Sequence, residues 1–253
     1  MYKFIFIILT ITALSIFNCS SDDNNISEDE LHNLFTDAIA GNSEANLRLH
    51  GIFSNKHIGK TDYNSLAIKS MSINNKLFYS VLLEYNDPIL NLFAIYDDQL
   101  NLYVLDKSLN GYLNAEWNDI GNRNFVFVQE RFLTKDVLSL DRLSIYQVST
   151  NSADLVYRSL SRFVKENHIS YNTVGRITDD FILTKVSDTN DKRINDQVDT
   201  FYFNSDLKKY LSKSNLFTKY VRQQINDFNW TLLKPEIPAE FLDTAAFSSH
   251  KVN

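Results

Sequence analysis

This chain makes its turns almost without glycine or proline. Six glycines and three prolines serve 253 residues, so most backbone reversals fall to Asn and Asp, which tolerate left-handed conformations and bond to their own main chain. Ile73-Asn74-Asn75-Lys76, Tyr96-Asp97-Asp98-Gln99, Thr150-Asn151-Ser152 and Asn204-Ser205-Asp206 each stand between apolar runs. Short apolar runs punctuated in this way are the pattern of antiparallel strands joined by tight connections.

Ser65–Ile73 and Leu77–Tyr85 around Asn74-Asn75 predict one hairpin. Ile89–Tyr96 and Leu100–Leu105 around Asp97-Asp98 predict a second. Tyr112–Trp117, Phe125–Leu133, Leu143–Ser149, Asp154–Val164 and Phe181–Val186 continue the series, and Thr200–Phe203 with Lys209–Leu211 predicts a last hairpin. Asp154–Val164 also fits a helical period, but its alternation favours a strand. Ile89–Tyr96 and Phe125-Val126-Phe127-Val128 are nearly all apolar, as in strands buried on both faces. Ser187–Val198 is polar and reads as an exposed loop.

Helices are expected at the two ends. Leu31, Leu34, Phe35, Ala38 and Ile39 make one helical stripe over Ser27–Ala40. Ser27 and Glu30 match a capping box, and Gly41 is a natural stop. Asn215–Phe228 carries Leu216, Tyr220, Val221, Ile225 and Phe228 on one face, before Pro235 and Pro238 end regular structure. The sequence therefore predicts a single α+β domain over 27–253, with a loose tail at 239–253. It should be a β-rich, antiparallel, meander-like sheet flanked by an N-terminal and a C-terminal helix. Leu31, Leu34, Phe35, Phe93, Ile95, Phe125, Phe127, Ile145, Val221 and Ile225 are its expected core.

Residues 1–18 carry one charge, Lys3, ahead of a 14-residue apolar stretch from Phe4 to Phe17. A membrane-spanning helix needs about 20 such residues, so the stretch reads as the core of an export signal. Ile16-Phe17-Asn18-Cys19 closes it. Cys19 is the only cysteine and is followed by Ser20-Ser21-Asp22-Asp23. This arrangement resembles bacterial lipoprotein signals, with Cys19 in the lipobox position. The small residue usual before that cysteine is replaced here by Asn18. The resemblance implies cleavage before Cys19 and three acyl chains on it. One acyl chain, at about 0.8 kcal/mol per buried methylene, holds a protein only marginally, whereas three anchor it stably. The Ser20–Asp23 run resembles the acidic tether by which some Gram-negative groups send lipoproteins to the cell surface. The expected address is the outer membrane of a Gram-negative-type cell envelope, with residues 19–26 as a flexible tether and the lipid on Cys19 as the only added group. A lone cysteine also rules out an internal disulfide.

Removing residues 1–18 leaves 24 Lys+Arg against 31 Asp+Glu, a net charge of about −7. Nucleic-acid binding needs a basic face to neutralise phosphates, and this balance argues against such a partner.

Motifs with a chemical mechanism are scarce. Asp106-Lys107-Ser108-Leu109-Asn110-Gly111 matches the first half of a calcium loop, with Asp106, Ser108 and Asn110 as oxygen donors. The twelfth position, where a bidentate Glu belongs, holds Trp117. The segment reads better as an Asn-Gly turn joining two strands, and no metal is expected. Gly59-Lys60-Thr61 ends like a phosphate loop but lacks the earlier glycine. His32, His50, His57, His168 and His250 show no close ligand spacing, although His50, His57 and Asp62 could meet in space. No GxSxG motif is present. Asp97-Asp98 and Asp179-Asp180 read as turn residues rather than acid–base pairs, because neighbours on a strand face opposite ways. Tyr79, Tyr85, Tyr96, Tyr103, Tyr112, Trp117, Tyr146 and Tyr157 fall in or beside strands, and any left exposed would suit sugar stacking or a protein interface. Trp230 reads as packing.

The leading functional reading is a membrane-anchored, non-catalytic binding module for an envelope protein or a glycan. The alternatives are an envelope hydrolase with unclustered carboxylates and a structural spacer. An exposed aromatic or apolar patch would favour the first; a deep pocket with two facing acids would favour the second.

Overall fold

The computed structural model describes residues 25–54, 57, 59, 63–133 and 138–225. Cys19, Ser20, Ser21, Asp22, Asp23, Lys60, Thr61, Asp62, Trp230 and the 239–253 tail lie outside them.

Helix α1 (Glu28–Ile39) begins as its sequence dictates: the Glu30 amide donates to Ser27 Oγ at 3.2 Å and the Ser27 amide to Glu30 Oε2 at 2.8 Å. A short helix, α2 (Ser43–Arg48), follows at once. It was not expected from the sequence, where six residues are too few to show a period. Its signal is Asn42, whose Oδ1 accepts from the amides of Glu44 and Ala45.

Among the described residues, twelve antiparallel strands then form two sheets, each a meander in chain order. The first contains β1 (Tyr63–Ile73), β2 (Lys76–Tyr85), β3 (Leu92–Asp97) and β4 (Leu102–Asp106). The second contains β5 (Tyr112–Ile120), β6 (Arg123–Leu133), β7 (Leu138–Val148), β8 (Ala153–Lys165), β9 (His168–Ile177), β10 (Phe181–Asp188), β11 (Val198–Asn204) and β12 (Lys209–Leu211). Helix α3 (Leu216–Gln224) closes the described fold. The β-rich α+β architecture with flanking helices is as expected, but the one sheet is two.

Layering explains the burial. Leu31, Leu34, Phe35, Ala38 and Ile39 of α1 pack on Tyr79, Val81, Leu83, Ala94 and Tyr96. The opposite face of β2 and β3, with Phe78, Leu82, Phe93 and Ile95, meets Val126, Val128, Tyr146 and Val148 of the second sheet. All six residues of β3 are therefore buried, the state its unbroken apolar run predicts. Of the expected core, only Phe127 remains half-buried.

The connections mostly follow their chemistry. Asn74 and Asn75 have φ of 50° and 64°, the paired left-handed residues of a type I′ hairpin turn. In the next hairpin Leu100 takes the positive φ (63°), while the buried Asp97 accepts from the amides of Gln99 and Asn101 at 2.9 and 2.8 Å. Ile89 is not in a strand. Pro88–Leu90 is a 3₁₀ turn because the Asp87 side chain accepts the Ile89 amide, and Ile89 is 66% exposed. Ile26, placed by the sequence in the flexible tether, is buried, its amide donating to the Asp98 carbonyl and its carbonyl accepting from Tyr79 OH. Ile26 therefore belongs to the folded body rather than to a tether.

Residues 106–111 do not form the expected Asn-Gly hairpin turn. They carry the chain from β4 to β5, that is, from one sheet to the other. Leu109 is buried in the interface between the sheets. Gly111 is required by closeness: a Cβ there would lie 2.7 Å from the Arg131 carbonyl oxygen. Side chains also brace the free edge of β5. Lys69 Nζ donates to the Ala115 carbonyl at 2.6 Å, Trp117 Nε1 to the Lys69 carbonyl at 3.1 Å, and the Leu113 amide to Glu84 Oε2 at 2.7 Å. Such coverage protects an edge from pairing with another chain.

Candidate functional site

On one face of the second sheet, polar residues interrupt the apolar pattern at adjacent cross-strand positions. Val128 pairs with Ser144 and Ser144 with Arg158; Glu130 pairs with Arg142. On one side of this belt, Val126 and Tyr146 pack on the first sheet. On the other, Phe132, Leu140, Leu160 and Phe163 pack with Phe217, Tyr220 and Val221 of α3. The 106–111 linker lies over the belt. Asp106 accepts from the Ser108 amide (2.7 Å), Ser108 Oγ (2.6 Å), Tyr146 OH (2.5 Å) and Arg158 Nη2. The Ser108 carbonyl accepts from Arg142 Nη2 at 3.2 Å, and the Asn110 amide donates to Glu130 Oε1 at 2.9 Å.

This geometry shows what the calcium-like residues do. Arg158 supplies the positive charge beside Asp106, the Ser108 carbonyl is turned to Arg142, and Asn110 meets Glu130 through its backbone. Among the described residues, no group of three or more His, Cys, Asp or Glu is placed to hold a metal. Burial pushes the Asp106 carboxyl up, but Arg158, then Ser108 and Tyr146, outweigh it and hold it at about 2. Burial moves Glu130 the other way, above the ordinary carboxylate range, against the pull of Arg142. Two acids with opposed shifts suit acid–base work only where a substrate can reach them. Here Glu130 is fully buried, and both acids face guanidinium groups beneath the linker.

A second cluster joins β9, β10 and α3. His168 Nε2 lies 2.8 Å from Asp188 Oδ2, to which Ser170 Oγ (2.5 Å) and Tyr220 OH (3.0 Å) also donate. The register makes this meeting, since Ser170 pairs with Asp188. The residue types are those of a hydrolytic triad, but the arrangement differs. A triad sets the acid on one imidazole nitrogen and the nucleophile on the other, whereas here Asp188 and Ser170 both meet Nε2, and Ser170 is buried. Burial raises the Asp188 carboxyl, yet Ser170, the Asp191 amide and His168 reverse this and hold it far below its ordinary value. Burial, then Asp188, pushes Tyr220 well up. The cluster docks α3 on the sheet. Asp199 does the same at the N-terminus of α3, accepting from the Leu216 amide at 2.8 Å and Ser212 Oγ at 2.7 Å. Of the other histidines, His50 and His57 take different partners: His50 Nε2 is 2.7 Å from the Leu100 carbonyl, and buried His57 meets Ser54 and the Leu90 carbonyl; His250 lies outside the described residues.

Most of the strand aromatics are core. Tyr79, Tyr85, Tyr96, Tyr146 and Tyr157 are buried, Tyr103 and Trp117 are half-buried, and only Tyr112 is exposed (55%). The exposed rings lie largely elsewhere. On one face of β11, Val198 is 56% and Tyr202 65% exposed, beside the half-buried Phe181 and Leu183 of β10 and Leu211 of β12. Phe203 is 40% exposed, and Val198, Tyr202, Phe203 and Leu211 border an open groove with Asp199, Asn204, Ser212 and Lys213.

The face of the second sheet opposite the buried belt carries a row across five strands. Tyr112 pairs with Arg131, Arg131 with Asp141, Asp141 with Arg162, and Arg162 with Tyr171. Asp141 is buried between the guanidiniums. Arg131 donates to it from Nε at 3.0 Å and Nη2 at 3.1 Å, and Arg162 Nη1 lies 3.7 Å away. Arg162 in turn stacks over the Tyr171 ring. An open groove runs beside Tyr112 and Arg131, lined by Leu113, Asn114, Gln129 and Leu133. Sequence reasoning named Tyr112 alone from this row, because the pairing of five distant strands is not written in any one stretch.

No protein-family model, curated protein or solved structure matches this chain. Among the described residues, no helix is long and apolar enough to cross a membrane.

Proposed function

We propose that this chain is a lipid-anchored protein of the bacterial envelope that binds a partner, a protein or a glycan, through sheet faces it leaves open to solvent. Acylation of Cys19 supplies the anchor, and the residues before Ile26 supply the tether. The observation that carries the binding reading is the exposure of Val198 and Tyr202 on a single face of β11, continued by half-buried neighbours on β10 and β12. Apolar side chains that adjoin across strands and stay in water mark interaction surfaces more often than isolated ones do. The buried charges support the same reading, since they bond to one another and hold the linker and α3 in place.

The test is photocrosslinking in intact cells, with a photoreactive residue at Tyr202, at Tyr112 and, as a control, at the exposed polar Asp206. The proposal predicts a discrete envelope product from Tyr202 or Tyr112 and none from Asp206. Equal, diffuse labelling from all three positions would contradict it.

A further inference from the structure

We propose that the row Tyr112, Arg131, Asp141, Arg162 and Tyr171 is a binding site for a carboxylate-bearing oligosaccharide. This rests on the partner-binding reading above and names a ligand class for it.

Three observations carry the proposal. The first is charge. The row holds two guanidiniums and one carboxylate, one net positive charge on a chain of net charge −6. Arginine has five N–H donors in a fixed fork, and the two bonds to Asp141 occupy part of that of Arg131. The Arg131 side chain is 49% exposed, so its remaining donors reach solvent. Its position is fixed, because Asp141, which also accepts from Gln129 Nε2 at 3.0 Å, is fully buried beneath it. A preorganised, partly spent guanidinium on a row with one net positive charge suits a single further anionic group, such as one carboxylate, rather than a highly charged duplex.

The second observation is shape. Strands lie about 4.8 Å apart, so the four steps from Tyr112 to Tyr171 span about 19 Å. That length matches several linked sugars rather than one. Open sheet faces of this kind do bind oligosaccharides in other folds.

The third is the distribution of the rings. Tyr112 and Tyr171, 55% and 42% exposed, stand at the two ends of the row. Each offers an apolar ring for the C–H face of a sugar and a hydroxyl for its polar edge. Asn114 and Gln129 add amides along the groove. The centre of the row is the Arg–Asp–Arg unit, with no large apolar side chain in the row between the two tyrosines.

The experiment is calorimetric titration of the full-length chain in detergent with tetragalacturonate and a hyaluronate tetrasaccharide, against neutral cellotetraose. The proposal predicts binding of at least one acidic probe, about tenfold tighter than cellotetraose and weakened by molar salt. Tyr112→Ala and Tyr171→Ala should each loosen it about fivefold, the loss of one stacked ring. Both rings are largely exposed, so these variants should keep the circular dichroism of the parent, and Tyr171→Ala should melt only slightly lower through loss of its contact with Arg162. Arg131→Lys keeps the charge but loses the fork, and should reduce the preference for acidic over neutral sugar. Failure of both acidic probes, equal affinity for the neutral one, or full affinity in both tyrosine variants would overturn the site. The two proposals fail separately. A protein captured from Tyr202 with no sugar bound in vitro keeps the partner-binding reading and removes this site. Sugar binding in vitro with no crosslinked product from Tyr202 keeps this site and the glycan form of that reading, and removes the β11 face from it.

Discussion

Single side chains decide whether a sheet-to-sheet linker stays closed. Asp106 is the clearest case, held at about 2 by Arg158, Ser108 and Tyr146 against an ordinary value of 3.8. A carboxyl depressed on folding adds stability that is complete above its unfolded value and is lost as pH falls toward its folded one. Stability should therefore drop between about pH 4 and pH 2, with Asp106 contributing about 2 kcal/mol of it. Urea unfolding of Asp106→Asn at neutral pH should show that loss, together with a flatter dependence on acid; a variant as stable and as acid-sensitive as the parent would contradict the assignment. Because Arg158 supplies the charge at this loop, millimolar calcium should leave the melting temperature unchanged. A rise of several degrees would show that the ion competes for Asp106 after all.

Helix α3 is held by two carboxylates from the sheet, Asp199 at its start and Asp188 along its flank. Tyr220→Phe removes one hydroxyl, which donates to Asp188 at 3.0 Å and lies 3.2 Å from His168 Nε2. It should cost about 1 kcal/mol and speed hydrogen exchange in α3 relative to β2 and β3. Uniform protection would mean that the contact is incidental. This docking also shows what a sequence can carry. The α1 stripe, its capping box and the Asn74-Asn75 hairpin were legible because each is written within a dozen residues. The α2 cap at Asn42 was present but too brief to give a period. The meeting of His168 with Asp188, the Glu130–Arg142 and Ser144–Arg158 pairs, and the row from Tyr112 to Tyr171 depend on strand register between distant segments. The break into two sheets was illegible for a related reason. A meander continues in chain order whether or not the next strand pairs, and the linker over 106–111 looks locally like any Asn-Gly turn.

The two sheets share one apolar interface, so they should lose structure together. Phe93 is fully buried there, with its ring centroid 4.7 Å from that of Tyr146 in the other sheet. Phe93→Ala should cost about 3–5 kcal/mol and lower a single melting transition rather than split it. Two separated transitions would show that the sheets are independent. Polar groups divide differently from the rings: paired charges are buried in the second sheet, while rings on β5, β9 and β11 stay in water. That division matters only if the body is displayed from a membrane by Cys19. Replacing Asp22 and Asp23 with Ala should then reduce access of external protease to the domain in intact cells, and unchanged cleavage would remove the export role of those acids. The most direct measurement is mass spectrometry of the N-terminal peptide from protein isolated from envelopes. The account predicts that residues 1–18 are gone and that Cys19 is the first residue, carrying acyl chains on sulfur and amine. A processed chain with a free Cys19 thiol, or one that retains its leader, would contradict it.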